Sequence, residues 1–122
     1  MSPPLRRTQV SPQRLLDLML DTVFVVDAQG RFVDASASCL DLLGYTAQEL
    51  RGTYMIEYVH PDDRQRTLLT AWKVIAGKPA TLFENRWLHR DRRVVHLQWT
   101  ARWAEPEQLR IAVARDITSQ RE

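Results

Sequence analysis

Val94-Val95-His96-Leu97-Gln98-Trp99-Thr100-Ala101-Arg102-Trp103-Ala104 is the stretch whose reading decides the fold. In an extended chain successive side chains point to opposite sides. Val95, Leu97, Trp99, Ala101 and Trp103 therefore share one face, and Val94, His96, Gln98, Thr100 and Arg102 share the other. The first face is wholly apolar, as a half-buried strand requires. Two more strands flank it, over about 81–89 and 108–117, joined by turns at Arg90 to Arg93 and at Glu105 to Gln108. On the earlier strand Phe83, Asn85 and Trp87 alternate on one face. On the later one Ala112 and Ala114 are the inward pair, and Ile111 and Val113 point outward.

Working back toward the N-terminus, the pattern predicts the longest helix over 62–76. His60-Pro61-Asp62-Asp63 opens it, with proline early and acids against the positive end of the helix dipole; Gly77 closes it. Residues 53–59 read as one irregular turn. Thr46-Ala47-Gln48-Glu49 has capping-box spacing, and Ser36 is placed to cap a helix running to Leu43 and closed by Gly44. Val23 to Val26 and Arg31 to Ala35 are short strands around Ala28-Gln29-Gly30, a hairpin over 22–35. Ser11-Pro12 starts a short amphipathic helix over 12–21, with Leu15, Leu16, Leu18 and Met19 on its apolar stripe. Hairpins toward both ends imply an α+β architecture: a five-stranded antiparallel sheet with the middle helices on one face.

The chain has 122 residues, with 17 basic and 15 acidic side chains and a formal net charge of +2. That length fits one domain, and it argues against an enzyme with its own substrate domain. The charges are mixed along the chain. Arg90, Arg92 and Arg93 cluster, but Asp91 sits among them, so no coherent basic face for nucleic acid is formed. Cys39 is the only cysteine, which excludes an intramolecular disulfide and a zinc knuckle and fits a reducing cytoplasm. Met1 to Val10 lacks the apolar stretch of a secretory signal. No apolar run reaches the roughly 18 residues of a membrane helix, so no membrane is expected in this segment. Gly44 and Gly52 form no phosphate loop, and Asp62-Asp63 is explained by helix-start chemistry, so no catalytic residues are assigned.

Four short motifs, in order, carry a resemblance: Val25-Val26-Asp27-Ala28-Gln29-Gly30-Arg31; Leu43-Gly44-Tyr45 with Glu49-Leu50-Arg51-Gly52; His60-Pro61-Asp62-Asp63; and Ala114-Arg115-Asp116-Ile117-Thr118. On these the chain resembles a PAS domain, with its PAC motif, the sensor and dimerisation module of bacterial signalling proteins. One departure is visible: the loop that reads Lys-Asp-Gly in the family is Arg90-Asp91-Arg92 here. The resemblance implies a sheet in the order 2-1-5-4-3, a flexible segment over 1–10, the sensor domain over 11–118, and the start of a linker to an output domain over 119–122. It implies signal exit through Asp116, Ile117 and Thr118. The output domain expected is of the histidine kinase type, as in two-component systems, or of the diguanylate cyclase type.

The resemblance also implies a small cavity between the helices and the sheet, and an outer sheet face that meets the N-terminal helix and a second protomer. The pocket candidates are Phe24, Val26, Leu43, Met55, Trp72, Phe83, Asn85, Trp87, Leu97, Trp99, Ala112 and Ala114. Two readings of them stand side by side: the rings fill the cavity as core, or they wall a ligand pocket. Leu15, Leu16, Met19, Ile111 and Val113 are the candidate homodimer surface. Glu49 is expected to pair with His89 or Arg90 as a latch from the helical side to the sheet. Flavin photochemistry in relatives uses a cysteine at the position held here by Met55, and haem relatives use a histidine from the long helix, which has none. His60, His89 and His96 are scattered, so no metal is expected. A non-covalent flavin or a small apolar ligand stays open.

Overall fold

The alternating stretch forms the strand β4, Val94–Ala104, which pairs on both edges. In the computed structural model residues 10–18 and 20–122 are described, and for Gln13, Leu16 and Asp17 the backbone alone. Met19 and the segment expected to be flexible up to residue 9 lie outside the described residues. Strand β3, Ala80–Leu88, sets Asn85 opposite Leu97 and Trp87 opposite Val95. Strand β5, Leu109–Asp116, sets Ala114 opposite Trp99 and Ala112 opposite Ala101. On its other edge β5 meets β1, Thr22–Asp27, where Phe24 faces Ala112 and Val26 faces Arg110. The short β2, Phe32–Ala35, completes an antiparallel sheet of order β2-β1-β5-β4-β3, the order the resemblance implied.

The period of two puts one whole face inward. Val95, Leu97, Trp99 and Ala101 are buried, whereas Thr100 and Arg102 are exposed. Between β2 and β3 the chain runs through short elements that cover this face: α2 (Cys39–Leu43), α3 (Ala47–Leu50), 3-10 turns at Met55–Tyr58 and Pro61–Asp63, and α4 (Arg64–Ile75). Helices α1 (Pro12–Leu18) and α5 (Thr118–Arg121) flank the sheet in sequence. Phe24, Leu43, Leu50, Leu97, Val59 and Val74 are among the largest wholly buried apolar side chains, and they belong to the core cluster between the sheet and these helices.

Local chemistry explains where the elements depart from expectation. Ser36 does not cap α2. Its hydroxyl accepts the Val23 N–H at 2.9 Å, so it closes the hairpin edge instead. The long helix begins as a 3-10 turn because Pro61 and the His60 Nδ1 cap, which accepts the Asp62 N–H, organise the first residues before α4 proper. Helix α1 ends at Leu18 instead of 21, while its expected cap is present: the Arg14 N–H donates to Ser11 Oγ at 3.1 Å. The capping box of α3 is complete, with Thr46 and Glu49 exchanging hydrogen bonds at 3.0 and 3.1 Å. An irregularity in β3, with Leu82 at φ 55°, had no visible signal in the sequence.

Gly44 is required by its surroundings. It takes φ 84° after α2, and a Cβ there would come within 2.7 Å of His89 and 2.8 Å of Arg90. The glycine thus lets the α2–α3 connection touch the β3–β4 turn, where the Arg90 N–H donates to Leu43 O at 2.9 Å.

Candidate functional site

Helix α4 lies over the inner sheet face and leaves a cavity of about 60 Å³ beneath it. Phe24 and Val26 from β1, Phe83, Asn85 and Trp87 from β3, Trp99 from β4 and Ala112 from β5 border it, with Met55 from the 3-10 turn. The rings pack on one another: Phe24 lies 5.5 Å from Trp99 and 5.5 Å from Phe32, and Trp87 lies 5.3 Å from Trp99. Trp87 and Trp99 are buried, and a buried indole needs a partner for its N–H.

One residue supplies that partner twice. The indoles of Trp87 and Trp99 both donate to Asn85 Oδ1, at 3.0 and 2.7 Å. Two donors on one atom fix which end of the amide is oxygen. The Asn85 amide nitrogen then donates to Thr67 Oγ1 at 3.0 Å, and the Thr67 hydroxyl donates to the Asp63 carbonyl at 2.7 Å. A continuous buried chain therefore runs from the cavity wall on the sheet to the start of α4. Asp63 in turn holds Arg86, the neighbour of Asn85 on β3, with a 2.8 Å pair between Arg86 Nη2 and Asp63 Oδ1.

The ion pair expected between Glu49 and His89 or Arg90 is made by Arg90. Its Nη1 donates to Glu49 Oε2 at 2.8 Å, and its guanidinium lies 5.1 Å from the Tyr45 ring centre. The N–H of Thr46 and then Arg90 hold the Glu49 carboxyl below the usual range. His89 is not the ionic partner. It packs against Gly44, and its Nδ1 lies 3.2 Å from Asp91 within the β3–β4 turn. Cys39 is buried and donates its thiol to Tyr45 O at 3.3 Å; burial pushes the thiol up to about 11. It is a protonated core residue.

A model of the PAS fold family matches residues 32–112. The chain belongs to the PAS family. Among solved structures, this PAS domain is similar to a domain of a sensory box sensor histidine kinase/response regulator from Geobacter sulfurreducens. The TM-score is 0.74 at 20% identity, covering 84% of this chain and 88% of that one. It is equally similar to the PAS domain of a protein from Colwellia psychrerythraea, with TM-score 0.74 and 21% identity over 87% and 93% of the two chains. Among curated proteins it is 34% identical over 53 residues to the blue light receptor lreB of Aspergillus flavus. That match takes in 43% of this chain and 10% of the receptor.

The structure sorts the remaining pocket candidates. Leu43, Leu97 and Ala114 are buried but stand in the packed core beside the cavity and do not border it. Trp72 is 68% exposed and faces away from it. The inward stripe of α4 is Thr67, Ala71 and Val74, at helical spacing. Trp72 follows Ala71 directly, so it is turned about 100° off that stripe. The sequence reading missed Thr67, Thr70, Ala71, Val74, Phe32, Ala80, Ala101 and Arg110 at the cavity. The period of two from Ala112 and Ala114 leads directly to Arg110, and that signal was available.

At the exit of the PAS domain Asp116 Oδ1 accepts the Thr118 N–H and hydroxyl at 2.9 and 2.6 Å, which starts α5. The buried Ile117 donates its N–H to His96 O at 2.9 Å, and Thr118 Oγ1 accepts the His96 N–H at 3.0 Å. Arg121 forks onto Glu84 with two 2.8 Å bonds. Of the candidate dimer surface, Ile111 and Leu15 are exposed and Val113 is half-buried; the Leu16 side chain and Met19 lie outside the described residues. Among the described residues no group of three or more His, Cys, Asp or Glu is placed to hold a metal, and no helix is long and apolar enough to cross a membrane.

Proposed function

We propose that this PAS domain is a ligand-responsive sensory and dimerisation module of a bacterial signalling protein. It reports the state of its cavity to a C-terminal output domain of the histidine kinase or diguanylate cyclase type. The observation that carries this reading is the void itself. Protein cores retain few voids larger than a water molecule, and this one, of about 60 Å³ and lined mainly by apolar side chains, leaves room for a small occupant.

The wiring supports the relay. Asn85 faces the cavity and Glu84, next to it on β3, faces outward to Arg121 of α5. A shift of β3 caused by an occupant is felt directly by the exit helix. Strand β4 offers a second route, through His96 to Ile117 and Thr118. Cytoplasmic placement and a homodimer through Ile111, Val113 and α1 belong to the same reading.

A second reading has its own observation. Trp87 and Trp99 are buried on the inner sheet face with ring centres 5.3 Å apart, which favours a dimerisation module with a side-chain-filled core. The volume also bears on cofactors, because drug-sized ligands take pockets of roughly 300–1,000 Å³. Flavin or haem needs the walls to move. Covalent flavin chemistry of a blue-light type lacks its thiol: Met55 borders the cavity, and Cys39 does not.

Thermal melting of the 122-residue chain against neutral, anionic and cationic small organic compounds tests the proposal, with native mass spectrometry of freshly purified protein. Saturable stabilisation by at least one class, with a change in tryptophan emission, is expected. No stabiliser together with a bare-chain mass would overturn the sensory part in favour of the filled-core module. A monomeric sedimentation profile would overturn the homodimer.

A further inference from the structure

Arg110 is 6% exposed and borders the cavity. It lies on the inner face of β5 in line with Ala112 and Ala114, between Val26 of β1 and Trp103 of β4. Arginine is almost never buried without a partner, because removing the guanidinium from water is expensive. Yet among the described residues the Arg110 guanidinium has no hydrogen-bond or ion-pair partner; only its backbone is paired, in the sheet. No fully enclosed side-chain nitrogen or oxygen among them lacks a partner, so the Arg110 nitrogens are not wholly sealed in by packed atoms.

The other polar groups at the cavity are already engaged. The Asn85 oxygen is taken by two indoles and its nitrogen donates to Thr67. Thr67 is spent on Asp63, and Thr70 donates to Arg66 O at 3.1 Å. The acid whose charge acts on Arg110 is Asp27, but that carboxylate accepts the Arg31 Nε at 3.0 Å and the backbone N–H groups of Gln29 and Arg31 at 2.9 Å. Burial pushes the Arg110 guanidinium down and the Asp27 charge only partly opposes it. Arginine stays charged even so. One cation without a side-chain partner thus borders a cavity whose other polar groups are engaged and whose remaining wall is apolar and aromatic.

We propose that the occupant of this cavity is a small organic carboxylate with a compact apolar body, its carboxylate paired to the Arg110 guanidinium and its body against Trp99, Phe24 and Ala112. The fork of an arginine matches a carboxylate with two parallel hydrogen bonds. The aromatic wall accepts the apolar end, and the small volume excludes large anions such as nucleotides. This rests on the sensory reading above and names its ligand class.

The test compares propionate and benzoate with the neutral propionamide and benzamide, on the whole chain, by tryptophan fluorescence titration and thermal melting. The carboxylates are expected to bind at least tenfold more tightly than the matching amides. In Arg110→Met, which keeps the apolar stem, that preference should vanish while a cooperative melt remains. Arg110→Lys keeps the charge without the fork and should retain part of the preference; it decides the question if Arg110→Met does not fold. Amides that bind as tightly as carboxylates, or an undiminished preference in either foldable variant, would overturn the carboxylate proposal and leave the sensory reading intact. Binding by none of the four probes overturns the carboxylate proposal, and the broader compound panel then decides the sensory reading separately.

Discussion

Asp63 accepts three hydrogen bonds from Arg86: the backbone N–H at 2.8 Å, Nε at 3.0 Å and Nη2 at 2.8 Å. One carboxylate therefore ties the start of α4 to both the main chain and the side chain of β3. The Arg86 side chain first, against the opposing effect of burial, brings the Asp63 carboxyl from 3.8 down to about 2. Because the folded value is the lower one, the stabilisation is present above 3.8 and is lost as pH falls toward 2. The difference corresponds to about 2 kcal/mol. Asp63→Asn should lower stability at neutral pH by about that amount and flatten the acid limb of a urea-melt pH profile. An acid limb identical to that of the parent chain would contradict the assignment.

Asn85→Ala removes the acceptor of two buried indoles. Each stranded donor costs about 1–3 kcal/mol, so a loss of about 2–5 kcal/mol is expected in denaturant melts. In a double-mutant cycle, Trp99→Phe should cost less in the Asn85→Ala background than in the parent, with a coupling of about 1 kcal/mol or more. Additive effects would mean that the shared oxygen is not what holds Trp99.

Trp99 and Trp72 should respond oppositely to truncation. Trp99→Ala opens a hole among Phe24 and Trp87 and should cost about 3–5 kcal/mol. Trp72→Ala removes an exposed ring and should change stability by no more than about 0.5 kcal/mol. Equilibrium urea unfolding followed by circular dichroism measures both, since it does not depend on the deleted fluorophore.

Arg92 occupies φ 80° at the exposed β3–β4 turn, where the family motif carries glycine. A side chain in left-handed backbone costs about 1–2 kcal/mol, and glycine returns part of this as extra freedom of the unfolded chain. Arg92→Gly should therefore stabilise by about 0.5–1 kcal/mol, and Arg92→Ala should not. A melting midpoint equal in Arg92→Gly and Arg92→Ala would show that the turn stores no such strain.

The sheet was legible because its signals are local and periodic. The alternation of Val95, Leu97, Trp99 and Ala101 depends only on the geometry of an extended chain, and the Thr46–Glu49 box depends on four consecutive residues. The Glu49 ion pair was half legible, because the choice between His89 and Arg90 depends on how a turn approaches from 41 residues away. Trp72 was misplaced because a helix has many possible rotations, and an exposed tryptophan looks in sequence like a buried one. The rotation is set by Thr67, Ala71 and Val74, whose small side chains let α4 sit close to the sheet.

By itself the sequence determined the strands, their alternating faces, the capping chemistry and the family to which the chain belongs, since each rests on short-range patterns of apolar, turn and cap residues. Only the tertiary structure decided that Asn85 serves two indoles at once, that Asp63 binds Arg86, and that Arg110 stands buried beside a void without a partner. Those facts depend on distances between residues far apart in the chain, and whether a buried polar group is satisfied is a property of the packed fold and not of any segment within it.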